Sequence, residues 1–115
     1  DIYGSGQHNT FIEGLYTDNS LVFINSGDSL IKGITSRVNI VCQNASPLIK
    51  NCRMIYQGAS GSAVIGYVYS HPTLSNCLIA GYPTGIHLEN AACSIQSTTI
   101  VDCGWNNGEC IFRKV

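Results

Sequence analysis

Ser46-Pro47-Leu48-Ile49-Lys50-Asn51-Cys52 is followed along the chain by His71-Pro72-Thr73-Leu74-Ser75-Asn76-Cys77. Pro, an apolar residue, Asn and Cys recur at one shared offset: Pro47 to Pro72, Ile49 to Leu74, Asn51 to Asn76 and Cys52 to Cys77. A fixed offset in the range of ~20–50 residues marks a repeat architecture. One such unit cannot bury its apolar face alone, whereas stacked units bury it continuously.

Working outward from Ile49 and Leu74, equivalents are Ile12 and Ile31 upstream and Ile95 downstream. The steps are unequal, shortest from Ile31 to Ile49 and longest from Ile49 to Leu74. Strands thus keep register while connections vary. Two residues on stand Gly14, Gly33, Asn51, Asn76 and Ser97, all turn-compatible. Three residues on come Leu15, Ile34, Cys52, Cys77 and Thr98, and five on come Thr17, Ser36, Met54, Ile79 and Ile100. Between the columns lie polar Glu13, Lys32, Lys50, Ser75 and Gln96. This is the in/out alternation of a strand with one bend at the Gly/Asn position. A second strand recurs in every coil, at Leu21–Ile24, Asn39–Cys42, Ala63–Ile65, Gly85–Leu88 and Glu109–Phe112.

The expected fold is therefore all-β, a parallel solenoid of about five short coils stacked roughly 4.8 Å apart. Stacking places Asn51 against Asn76, where the amides either form a side-chain ladder or simply tolerate a left-handed backbone. Glu13 is expected over Lys32 as a surface charge pair of small energetic weight.

Bulk composition agrees. The chain has 115 residues, 11% charged, a net charge of −1 and 12 glycines. One domain, 1–115, is expected, and nothing resembles the basic footprint of a nucleic-acid binder. The apolar run Ala63–Tyr69 is too short to span a bilayer, and no signal peptide is visible. Ile2-Tyr3-Gly4-Ser5-Gly6 reads as the middle of a repeat, so the chain is expected to be a piece of a longer one.

Short coils with a Pro-Leu-Ile-x-Asn-Cys strand, and the segment Ile2–Gly14 with its Gly-x-Gly turn before Thr10-Phe11-Ile12-Glu13-Gly14, resemble the right-handed parallel β-helix of the pectate-lyase-like superfamily. Phage tailspikes and polysaccharide lyases share that architecture. The resemblance covers nearly the whole chain and implies right-handed coiling. It is nearly silent on function. Gly4-x-Gly6 is not a dinucleotide fingerprint, because no helical pattern follows it and the third Gly is missing.

Glycan cleavage needs paired carboxylates or a calcium-and-arginine site. The acids are Asp1, Glu13, Asp18, Asp28, Glu89, Asp102 and Glu109, with no Asp-Asp or Asn-x-Asp. Asp102 and Glu109 share a coil and are the nearest candidates for a glycosidase pair, against the plainer reading of a turn carboxylate and a solvated one. No catalytic residue carries over from the superfamily. His8, His71 and His87 occupy different places in the coil, which argues against a metal site, and no nucleophile elbow is present. No cofactor is expected. The six cysteines read either as disulfides or as small buried hydrophobes. No C-x-x-C zinc spacing occurs, and Cys103 with Cys110 is the first pair to check.

The aromatic residues say more. Tyr56, Tyr67, Tyr69 and Tyr82 fall in the third and fourth coils and Trp105 in a loop of the fifth. The third coil reads as the longest, expanded by Gln57-Gly58-Ala59-Ser60-Gly61-Ser62. Loops on a rigid scaffold carry binding, and Tyr and Trp offer flat faces to sugar rings, with Gln57, Ser60, Asn106 and Asn107 as polar neighbours. The same five aromatics suit packing against a neighbouring subunit.

Both ends of such a rod are open sheet edges, and no polar capping helix is legible. More chain or other subunits are expected to cover them. The leading expectation is a non-enzymatic structural or adhesion module of an extracellular or virion assembly, homo-oligomeric, with a trimer as one arrangement and polysaccharide as a further partner. The alternatives are part of a polysaccharide lyase or hydrolase, and a stand-alone carbohydrate-binding module. The virion placement rests on fold analogy.

Overall fold

The computed structural model describes residues 2–4, 6, 11–12, 20–56, 61–105 and 109–114. Each coil carries three short strands. The first holds β1 (Ile2–Tyr3), β2 (Phe11–Ile12) and β3 (Ser20–Ile24). The second holds β4 (Leu30–Lys32), β5 (Thr35–Ser36) and β6 (Asn39–Gln43). The third holds β7 (Leu48–Lys50), β8 (Arg53–Ile55) and β9 (Ser62–Tyr67). The fourth holds β10 (Thr73–Ser75), β11 (Leu78–Ala80) and β12 (Thr84–Glu89), and the fifth β13 (Ser94–Gln96), β14 (Thr99–Val101) and β15 (Ile111–Lys114).

Corresponding strands pair in parallel to make three five-stranded sheets: β1-β4-β7-β10-β13, β2-β5-β8-β11-β14 and β3-β6-β9-β12-β15. The chain is thus a parallel β-solenoid of about four turns. No helix occurs among the described residues, so none is long and apolar enough to cross a membrane.

The opening repeat is explained position by position. Pro47 and Pro72 stand just before a first-sheet strand, where a missing N–H costs little, and their carbonyls accept from Thr73 and Ser94 at 3.0 Å. Ile49 and Leu74 point inward and are fully buried, each such burial worth ~1.5–3 kcal/mol. Asn51 and Asn76 make the bend into the second sheet with φ of 53° and 52°. Cys52 and Cys77 turn inward behind it. Asn76 Nδ2 donates to Asn51 Oδ1 at 2.8 Å, so the amides do form a ladder. Inward columns from all three sheets meet in one core: Ile31, Ile49 and Leu74 from the first, Met54 and Ile79 from the second, Ile40, Val64 and Ile86 from the third.

Several sequence expectations need correction. The bent strand is two strands, in two different sheets. In the first coil it is Ile2, not Ile12, that pairs with Ile31. Ile12 pairs with Ser36 in the second sheet, the column expected for Thr17. Apolar-x-Gly occurs twice in this coil, as Ile2-Tyr3-Gly4 and Ile12-Glu13-Gly14, and local pattern does not rank them. Stacking does: Gly4 N–H donates to the Lys32 carbonyl at 2.8 Å, and a Cβ on Gly33 (φ +72°) would meet the Gly4 carbonyl oxygen at 3.0 Å. The first step therefore runs from Ile2 to Ile31 and exceeds the one from Ile49 to Leu74, so the first coil, not the third, is the longest. Lys32 has Tyr3 and Lys50 as its lateral neighbours. Glu13, Gly14, Leu15 and Thr17 lie outside the described residues. The recurring second strand is the third sheet, in register Leu21↔Ile40↔Val64↔Ile86↔Ile111.

All six cysteines are free thiols. Cys42, Cys52 and Cys77 are buried in the core, the small-hydrophobe reading. Cys110 lies beside Cys103 without bridging it, its Sγ donating to the Cys103 carbonyl at 3.3 Å.

Candidate functional site

The five aromatics separate into two groups. Tyr56, Tyr82 and Trp105 cluster where the second sheet gives way to the third. The Tyr56 ring is edge-on to Tyr82 at 5.5 Å and to Trp105 at 6.0 Å. Tyr82 is 0% exposed, so it offers no face to a ligand or a subunit; desolvation raises its phenol above the ordinary range. Trp105 is exposed, but its Nε1 donates to the Gly81 carbonyl at 2.9 Å, which ties the indole down as a lid over Tyr56. The polar neighbours Gln57, Ser60, Asn106 and Asn107 lie outside the described residues.

Tyr67 and Tyr69 belong to a different place, the corner where the chain leaves the third sheet for the next coil. Tyr67 faces outward from β9 in the lateral column Ile24, Gln43, Tyr67, Glu89, Lys114. Beside it runs a second outward column, Val22, Val41, Ile65, His87 and Phe112. The His87 ring stacks on Phe112 at 4.8 Å and meets Tyr67 edge-on at 6.3 Å, and its Nε2 lies 3.2 Å from Glu89 Oε1.

One residue beyond each of the third-sheet strands of the first four coils the backbone turns left-handed. Asn25 (φ 50°), Asn44 (48°) and Asn90 (50°) fill this place in three coils. Asn suits it, because its short side chain tolerates that region, and Asn44 Nδ2 donates to Asn25 Oδ1 at 3.0 Å as a second ladder. In the third coil the place falls to Val68 (φ 52°), with Tyr69 (φ 60°) directly after it. A β-branched residue there is an outlier, and two successive strained residues cost about 1–3 kcal/mol each. The corner also carries one residue more than those on either side: Tyr67 to Thr73 spans six positions, as Ile24 to Leu30 does in the first coil, whereas Gln43 to Leu48 and Glu89 to Ser94 span five. The insertion is held from both sides. Tyr69 N–H donates to the Asn90 carbonyl. Ser70 Oγ donates to the Tyr67 carbonyl at 2.6 Å and accepts from Ala45 N–H at 3.1 Å.

Beside this corner lies a groove of about 560 Å³ lined by Gln43, Tyr67, Val68, Tyr69, Glu89 and Asn90. Tyr69 stands out of it, 84% exposed. Sequence reading reached Tyr67 and Tyr69 but not Gln43, Val68, Glu89 or Asn90. The signal was there: extending the third-sheet alignment past the strand ends gives Asn25, Asn44, Val68 and Asn90, with one misfit.

Asp102 and Glu109 are both exposed. Among the described residues no three His, Cys, Asp or Glu side chains gather as a metal site requires. No protein-family model, curated protein or solved structure matches the chain.

Proposed function

We propose that the chain is a non-enzymatic structural or adhesive β-solenoid module of a larger extracellular or virion assembly. One observation carries this reading. In the fourth coil Leu74 and Ile86 are 0% exposed, whereas their stacked equivalents in the fifth, Ile95 and Ile111, are 39% and 45% exposed. An apolar layer with its strand edges open is stable when another layer lies on it. A second copy laid on that face would supply the cover, so the module is read as a component of an assembly. The virion setting comes from the likeness of architecture to tailspikes.

Sedimentation of the chain over a range of concentrations tests the reading. Concentration-dependent association is expected. The Ile95→Lys, Ile111→Lys double variant should sediment as a monomer with an unchanged β-sheet circular dichroism spectrum. A wild-type chain that stays monomeric throughout would sink the proposal. New reducing or unsaturated ends on incubation with polysaccharides would replace it with the enzymatic reading.

A further inference from the structure

The inserted corner of the third coil does nothing for the scaffold that a single Asn does not do in the coils on either side. It replaces one comfortable left-handed residue with two strained ones, and strain of this kind persists where the surroundings hold it for a purpose. What it produces is an exposed phenol beside a polar groove. We propose that this groove binds a neutral saccharide, with Tyr69 and Tyr67 covering the C–H face of a sugar ring and Gln43, Glu89 and Asn90 hydrogen-bonding its hydroxyls. The proposal gives the adhesive part of the reading above a ligand class and a place, and rests on it to that extent.

The chemistry of the lining selects the ligand. Gln43 and Asn90 each present a donor and an acceptor, and the Glu89 carboxylate accepts through two oxygens. Sugar hydroxyls donate and accept together, so this set matches a vicinal pair. Glu89 is the charged residue among the six that line the groove. Lys114 stands beside it in the sheet and, with Arg113, lines the adjoining cleft past Tyr69 and Asn90. An acidic sugar seated in the groove itself therefore faces the carboxylate, whereas one displaced toward that cleft would meet the two cations. An extended peptide is disfavoured for another reason. β9 is paired on both sides, by β6 and β12, so it has no free backbone edge for strand addition. The volume lies within the ~300–1,000 Å³ common to ligand sites.

A glycan array carrying neutral and acidic oligosaccharides, followed by calorimetry on the best neutral member, tests the site. Wild type should bind neutral members in preference to acidic ones. Tyr69→Ala, at a side chain largely in solvent, should weaken binding about tenfold with an unchanged melting temperature. Replacing Val68-Tyr69 by a single Asn should abolish binding and raise the melting temperature. Glu89→Gln should weaken neutral binding while easing the exclusion of acidic sugars. The proposal fails if wild type binds no neutral glycan, prefers acidic glycans or a lysine-rich peptide, or binds equally well in the Tyr69→Ala and shortened-corner variants. Association of the chain is read by sedimentation and the groove by glycan binding, so either reading can fall while the other stands.

Discussion

Two corners of the solenoid solve the same geometric problem in different ways. At the bend from the first sheet to the second, Gly33, Asn51, Asn76 and Ser97 all take φ between 47° and 72°. Gly33, Asn51 and Asn76 suit the left-handed region, and Asn51 and Asn76 bond to one another. Behind them Cys52 and Cys77 fill the interior and donate to the carbonyls of Lys50 and Ser75 at 3.2 and 3.3 Å. At the exit from the third sheet the same logic holds for Asn25, Asn44 and Asn90 and is broken by Val68 and Tyr69. The first corner is uniform because its only task is to stack. The second replaces Asn in one coil, and a groove lies beside that replacement. In a solenoid, regularity marks scaffold and a local departure marks a candidate site.

Exchanging residues between the corners gives the largest expected effect. Asn76→Val puts the third-coil misfit into the ladder. It loses the 2.8 Å bond to Asn51 and holds a β-branched residue near φ 52°. A destabilisation of about 3 kcal/mol is expected from the sum of strain and the lost bond, read as a lower urea midpoint. An unchanged midpoint would mean that the ladder is ornamental.

The thiols behind the ladder give the next effect. Burial lifts Cys77 from 9.0 to about 11. Below pH 9 folded and unfolded chains both hold the proton. Between 9 and 11 the unfolded chain releases it and the folded chain keeps it, so stability falls as pH rises through that window. Cys77 alone should account for about 1 kcal/mol by pH 10. Cys42, pushed up to about 12 by burial, adds to the same slope. Urea midpoints at pH 8 and pH 10 should differ in wild type and differ less in Cys77→Ala.

The smallest effect runs the other way. Val68→Asn relieves the strained residue without removing Tyr69 and should stabilise the chain by about 1 kcal/mol, seen as a modest rise in melting temperature. A fall would show that Val68 packs usefully where it stands, and the contrast between the corners would lose its energetic basis.

Much of this was legible from residues alone. The Pro, apolar, Asn and Cys columns carried the first and second sheets from the second coil onward, because each column reports a side-chain environment that recurs with every turn. The third-sheet strands were equally readable. The first coil was not: Ile2-Tyr3-Gly4 and Ile12-Glu13-Gly14 have the same local form, and only pairing with β4 distinguishes them. The aromatics were legible as a set but not as two sites. Tyr82 and Tyr69 carry the same ring, yet one is wholly inside and the other 84% exposed, since their fates depend on which way each corner turns.

By itself, then, the sequence determined the architecture: an all-β stack, the residues that point inward, and Asn or Gly at the bends. These follow from periodicity and backbone preference, which are local and repeat with each coil. The tertiary structure alone decided which strand of the first coil stacks on Ile31, that the thiols are unbridged with three of them buried in the core, and that stacking sets Gln43 and Glu89 on either side of Tyr67, next to the exposed Tyr69. Those outcomes join residues of different coils through stacking, and a single coil carries no record of how its neighbour is aligned.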